Sequence, residues 1–176
     1  MKTKFFVLIS MIVFAFSSCD LTSESNITPS FNFIRKPFVF HGDTLTMQYT
    51  NEGMRLDTIQ VGDTVFFPVY INGYFNLLNN FSITVSDTSA SKLIFPPKSA
   101  LDTIFSSSAS DFDKGSFVFS TKSNSLYFPF KYVAKKPSSN VYILFTANSN
   151  AKAEYSHASS TLKTPIISRK STTTLQ

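Results

Sequence analysis

The chain has 176 residues, 43% of them hydrophobic, with 16 basic residues against 11 acidic ones and a single cysteine. One thiol excludes an internal disulfide framework, and the apolar share is enough for one buried core. The cations fall in isolated pairs, Arg35-Lys36, Lys135-Lys136 and Arg169-Lys170, not in a stripe that neutralises successive phosphates, so no nucleic-acid partner is expected.

Met1-Lys2-Thr3-Lys4 is basic, Phe5 to Phe16 is apolar apart from Ser10, and Ser17-Ser18 supplies small residues. This is the three-part layout of a secretory signal peptide, and its apolar run is too short to cross a bilayer. Cleavage after Ser18 leaves Cys19 at the new amino terminus. It also removes Lys2 and Lys4, so 14 basic residues face 11 acidic ones, a net charge of +3 over 158 residues. Asp20 to Ser30 is polar and aperiodic, which reads as a flexible tether. Residues 19–30 are therefore assigned to the linker, 31–168 to one folded domain and 169–176 to a tail.

Gly42, Gly53, Gly62 and Gly73 punctuate the first half of that domain at short intervals. Turn signals every 8–12 residues with β-branched and aromatic stretches between them predict a sandwich or barrel. Strands are predicted over 44–50, 54–60 and 64–71, with Asn72-Gly73 as a tight hairpin turn. Tyr74 to Asn80 is expected to make one helical turn. The sets Val65/Phe67/Val69/Ile71, Leu126/Phe128/Phe130/Tyr132 and Val141/Ile143/Phe145/Ala147 alternate with period two, as do the pairs Phe31/Phe33, Phe38/Phe40 and Phe117/Phe119. These are the expected core faces. Asp102 to Asp113 reads as a long polar loop. Pro68 and Pro129 interrupt two strands, and because proline donates no ladder hydrogen bond, each is expected to mark an edge strand or a bulge.

With Phe16-Ser17-Ser18-Cys19 in the position of the lipobox, the leader resembles that of bacterial lipoproteins of Bacteroides-like bacteria. The resemblance implies lipidation of Cys19 and anchoring in the outer membrane, since thioether- and amide-linked acyl chains together hold a protein stably. In such lipoproteins an acidic cluster after the cysteine directs export to the outer face, and Asp20 and Glu24 resemble it. Asp57 to Ile83 is similar to the opening strands of immunoglobulin-like domains in bacterial surface lipoproteins. That likeness implies an all-β, Greek-key β-sandwich of about seven to nine strands.

Asp-Thr followed by an aliphatic residue occurs at Asp43-Thr44, Asp57-Thr58, Asp63-Thr64 and Asp102-Thr103. One reading is turn chemistry, in which Asp bonds its own backbone and Thr starts a strand. The other is that the motif resembles the O-glycosylation site of exported proteins in the same bacteria, which implies glycan on Thr44, Thr58, Thr64 and Thr103. Asp111-Phe112-Asp113-Lys114-Gly115 resembles the start of a calcium loop, but glycine is fifth and Lys122 is twelfth, where a bidentate acid belongs. His41 and His157 have no ligand-spaced partner. No metal, no cofactor and no catalytic set are expected.

Tyr70, Tyr127 and Tyr142 alternate with the core sets, and Tyr74 follows a turn. Exposed tyrosines stack on sugar rings or anchor protein partners. The leading expectation is a non-enzymatic, lipid-anchored binding or scaffolding module of the cell envelope, with the membrane and a glycan or protein as partners. A carbohydrate-binding accessory of a glycan-uptake system and a small hydrolase on a sandwich are the alternatives.

Overall fold

Period-two alternation decides this fold, and it does so through which strands find each other. The computed structural model describes residues 25–40, 42–50 and 53–168. The leader, Cys19, Asp20, Glu24, His41 and the tail from Arg169 lie outside the described residues. Thirteen strands follow in chain order: β1 (Ser30–Phe33), β2 (Phe38–Val39), β3 (Met47–Thr50), β4 (Gly53–Leu56), β5 (Ile59–Gln60), β6 (Thr64–Asn72), β7 (Leu78–Val85), β8 (Ser91–Ile94), β9 (Ser116–Val118), β10 (Ser125–Ala134), β11 (Tyr142–Ser149), β12 (His157–Lys163) and β13 (Ile166–Ile167). One helical turn, α1 (Lys98–Leu101), and one 3-10 turn, Ala153–Tyr155, complete the described elements.

The first sheet has the order β1-β6-β10-β8, with β2 also on β6. The second runs β3-β4-β12-β11-β7-β9, and β5 and β13 form a small parallel pair. Strands β1, β6, β10 and β8 facing β7, β11 and β12 give an all-β, immunoglobulin-like Greek-key sandwich. The count exceeds nine because several strands are only two to four residues long. Beside the antiparallel ladders, β4 lies parallel to β12 and β5 parallel to β13.

The core faces are largely those the alternation marks. Val65, Phe67, Val69, Ile71, Tyr132, Val141, Ile143, Phe145 and Ala147 are all fully buried. Each valine, isoleucine or phenylalanine side chain so buried contributes about 1.5–3 kcal/mol. Around Phe117 the rings of Phe81, Phe95, Phe105, Phe112 and Phe128 lie with centroids 4.7 to 5.8 Å away. Most of these contacts are edge-on or tilted, as the ring quadrupole favours.

Several expectations give way. Tyr74 to Asn80 makes no helical turn: Leu78 opens β7, which places Leu78, Phe81 and Ile83 in the core. Asn72-Gly73 is not a hairpin turn, because β6 and β7 belong to different sheets and the segment crosses between them. Gly73 is needed there for closeness, since a Cβ would lie 2.6 Å from the Asn76 carbonyl oxygen. The region from Asp102 to Asp113 is irregular but not merely polar, because Phe105 is 1% exposed and Phe112 packs beside it. Phe38 and Phe40 point outward. The register explains this: Phe38 pairs with Phe66, the outer-face neighbour of buried Phe67, so Val39 turns in instead.

Pro68 and Pro129 also correct the reading. They sit in the two central strands, directly opposite each other in the β6–β10 ladder. The Pro68 carbonyl accepts from the Ile34 amide, so its amide side faces the stretch where the chain leaves β1 and has not yet begun β2. Pro129 lies beyond Lys131↔Ile94, the last β10–β8 pair. Each proline thus occupies a position where the flanking ladder is interrupted, inside a strand that is central elsewhere.

The expected tether is described only from Ser25, and from there it is held. The Asn76 side chain, 2% exposed, accepts from the Ser25 amide at 3.2 Å and donates to Ser25 Oγ at 2.8 Å and the Ile27 carbonyl at 3.1 Å. Pro29 is buried.

Two consequences are measurable. Phe117→Ala removes the centre of the ring cluster and is expected to cost about 3–5 kcal/mol, read as a lower urea midpoint; an unchanged midpoint would contradict this packing. Tyr132 is buried on the core face with its hydroxyl 3.1 Å from Thr164 Oγ1. Burial pushes its phenol above the usual value of 10, against the opposing pull of bonds to Thr164 and Ser91. The folded state therefore holds this proton more tightly than the unfolded chain, and its contribution is complete below pH 10 and lost as pH rises through and beyond 10. Tyr132→Phe is expected to lose about 1 kcal/mol at neutral pH yet fall less steeply than wild type on the alkaline side. Parallel stability curves above pH 10 would rule this out.

Candidate functional site: an aromatic strip on the outer sheet face

Strands β6 and β10 carry matching pentapeptides, Phe66-Phe67-Pro68-Val69-Tyr70 and Tyr127-Phe128-Pro129-Phe130-Lys131. Paired antiparallel, they place Tyr70 against Tyr127, Pro68 against Pro129 and Phe66 against Lys131. The intervening Phe67, Val69, Phe128 and Phe130 all face the core, so the first set shares the outer face. The strip runs about 13 Å, four residues of extended chain. Two tyrosines stand at one end, Phe66 with Lys131 closes the other, and between them lie half-buried Pro129 and Pro68, which is itself buried beneath its neighbours.

Neighbouring strands widen it. Phe38 lies against Phe66 with ring centroids 5.1 Å apart, and Lys131 Nζ stands 5.6 Å from the centroid of Phe40, within cation–π range. Ile34, Arg35, Phe38, Phe66, Pro68 and Tyr127 line an open groove of about 420 Å³. Ile34, Phe40 and Tyr127 are 57%, 55% and 48% exposed. Ile34 and Tyr127 share the groove, and grouped exposed apolar side chains are more common at interaction surfaces than single ones. The only charged residue lining the groove is cationic.

The four tyrosines singled out by sequence do not form one site. Tyr70 and Tyr127 meet on the strip. Tyr142 faces outward from the other sheet, paired with Lys163, and Tyr74 sits in the crossover after β6, with φ 58° and its hydroxyl 3.0 Å from Ser30 Oγ. Sequence reasoning missed Phe66, Phe38, Phe40, Ile34 and Lys131. The usable signal was an aromatic two residues from each strand proline, on the same face as that proline.

The Asp-Thr motifs divide. Asp57 accepts from the Thr46 amide at 2.6 Å and Asp63 from the Gln60 amide at 2.8 Å, so the carboxylates tie neighbouring backbone rather than their own residue's. Thr44, Thr58 and Thr103 are exposed. Thr64 is half-buried in the β6–β10 ladder, and Thr103 follows α1 rather than starting a strand, its hydroxyl donating to the Ala100 carbonyl at 2.7 Å.

Elsewhere, a cleft of about 590 Å³ between β7 and β8 has an apolar floor of Ile83, Val85, Leu93 and Phe95 beneath Lys92, Lys114, Lys135 and Asp113. Lys114 is committed to Asp111 at 2.8 Å. That bond holds the Asp111 carboxyl below the usual range and the Lys114 ammonium above it. The segment resembling a calcium loop thus closes on its own cation, as a turn whose ends pair through Asp111 and Ser116. His157 Nδ1 lies 2.8 Å from Asn148 Oδ1. Among the described residues no three His, Cys, Asp or Glu side chains gather as metal ligands.

No family model matches this chain, and no curated protein matches it. Among solved structures it is similar to domains 4 and 5 of the S-layer protein SbsC, with 10% identity and a TM-score of 0.32, over 75% of this chain and 54% of that one. The chain thus spans about half the length of that structure.

Proposed function

We propose that this protein is a non-enzymatic, lipid-anchored module of the cell envelope that binds a glycan on the outer face of the β6–β10 sheet. The observation that carries the reading is the aromatic strip built on the Pro68–Pro129 pair. Flat rings fixed on adjacent strands suit the faces of sugar rings, and their rigidity limits the ordering cost of binding. Arg35 beside the groove and Lys131 at its end are both cationic, which favours sugars bearing carboxylate or sulfate. Anchoring rests on the leader and on Cys19, the residue a two-chain acyl anchor requires. The exposed threonines Thr44, Thr58 and Thr103 are the better acceptors for O-linked glycan; Thr64 is enclosed by its ladder.

Screening against neutral and acidic glycans tests the binding face. Tyr127→Ala and Phe66→Ala are each expected to weaken binding at least tenfold, about 1.4 kcal/mol, while Tyr142→Ala on the other sheet leaves it intact. Wild-type protein that retains no glycan, or a Tyr142→Ala loss as large as that of Tyr127→Ala, removes the proposal. For the anchor, Cys19→Ser is expected to move the protein from the membrane fraction to the soluble fraction. Unchanged membrane retention would refute acylation at that residue.

A further inference from the structure

The crossover from β6 to β7 presents a rigid apolar tip. Phe75 is 79% exposed, and Tyr74 and Ile27 are exposed beside it. The loop is braced on several sides. The Tyr74 amide donates to Asn72 Oδ1 at 2.8 Å, Asn124 Nδ2 donates to the Tyr74 carbonyl at 3.0 Å, and the Asn76 amide donates to the Gly73 carbonyl at 2.9 Å. No residue from Asn72 to Leu77 is charged. Lys122 borders a shallow groove with Leu77 and Leu78 next to this tip. Phe75 lies outside the core, between two residues whose backbone is hydrogen-bonded on either side of it.

The amino-terminal segment reaches the domain at the same place, because Ser25 and Ile27 are bonded to buried Asn76, the residue after Phe75. Only five residues lie between Cys19 and Ser25, and the six steps of chain span at most about 22 Å when fully extended. An acyl anchor on Cys19 therefore brings Asn76, and with it the tip, within that distance of the bilayer. We infer that Ile27, Tyr74 and Phe75 rest in the headgroup region of the membrane that carries the acyl chains, with Phe75 inserted. Aromatic rings favour that interface, and Lys122 suits its anionic lipids. The inference rests on the acylation of Cys19. The short leash and the tip together fix which end of the sandwich faces the lipid, and the strip extends from Tyr70 and Tyr127, near that end, toward Phe66, away from it.

The chain contains no tryptophan, so Phe75→Trp introduces the sole indole. The acylated protein would be reconstituted in phosphatidylethanolamine–phosphatidylglycerol vesicles, with or without brominated acyl chains. The expected result is blue-shifted emission, strongly quenched by the brominated lipid. Tyr49→Trp is the control: Tyr49 is 74% exposed and pairs with Met54, in the row of Leu162, Ile143 and Val85 at the far end of the sandwich. It is expected to emit as in water and escape quenching. Equal, unquenched emission from both variants in protein that floats with the vesicles overturns the tip while leaving the anchor standing. Blue-shifted emission that bromine does not quench overturns it in favour of a protein contact. Failure of wild-type protein to float, with Cys19 unmodified by mass spectrometry, removes the anchor and the tip with it.

Discussion

The register between β6 and β10 determines most of what this protein presents. Because side chains alternate from face to face, a slip of one residue would turn Val65, Phe67, Val69 and Ile71 outward and bring Phe66, Pro68 and Tyr70 into the core. With Pro68 opposite Pro129, both inner faces are apolar and both outer faces carry the strip. The same register decides where β1 leaves off and β2 takes over, because Pro68 has no N–H and so needs no acceptor from the strand beside it. Two prolines that weaken a ladder in isolation here settle where it is interrupted.

Around that pair the core is built from phenylalanine. The domain has neither the disulfide nor the tryptophan that mark the core of antibody-type sandwiches. Interlocking rings around Phe117 fill the equivalent space. Rings reach across the gap between sheets that smaller side chains leave open, and their edge-to-face contacts add to the burial itself. The buried polar contact of Tyr132 with Thr164 joins a strand of the first sheet to the segment just after β12, so the two layers are tied by one hydroxyl pair as well as by packing.

Much of this was legible in the residues. The three long alternating sets named the inner faces of β6, β10 and β11, since period two is a local property of extended chain. Tyr70 and Tyr127 were correctly placed outside the core for the same reason. What sequence withheld was partnership. Phe38 and Phe40 alternate as plainly as Phe31 and Phe33, yet the face each pair takes depends on its registration against β6, a contact some thirty to forty residues away along the chain. Tyr142 alternates like Tyr127 but belongs to the opposite sheet. The crossover at Asn72-Gly73 carries the residues of a hairpin turn, and only the destination of β7 shows that it is none. Asn76 gave no signal, because a buried asparagine is recognised by the segment it holds.

The parallel contacts of β4 with β12 and of β5 with β13 carry a mechanical consequence. Residues near the start of the domain lie alongside residues near its end, pointing the same way. A pull that reaches β4 from its amino-terminal side and β12 from its carboxy-terminal side therefore slides the strands past each other rather than peeling them apart. In that geometry the interstrand bonds share the load and must break together.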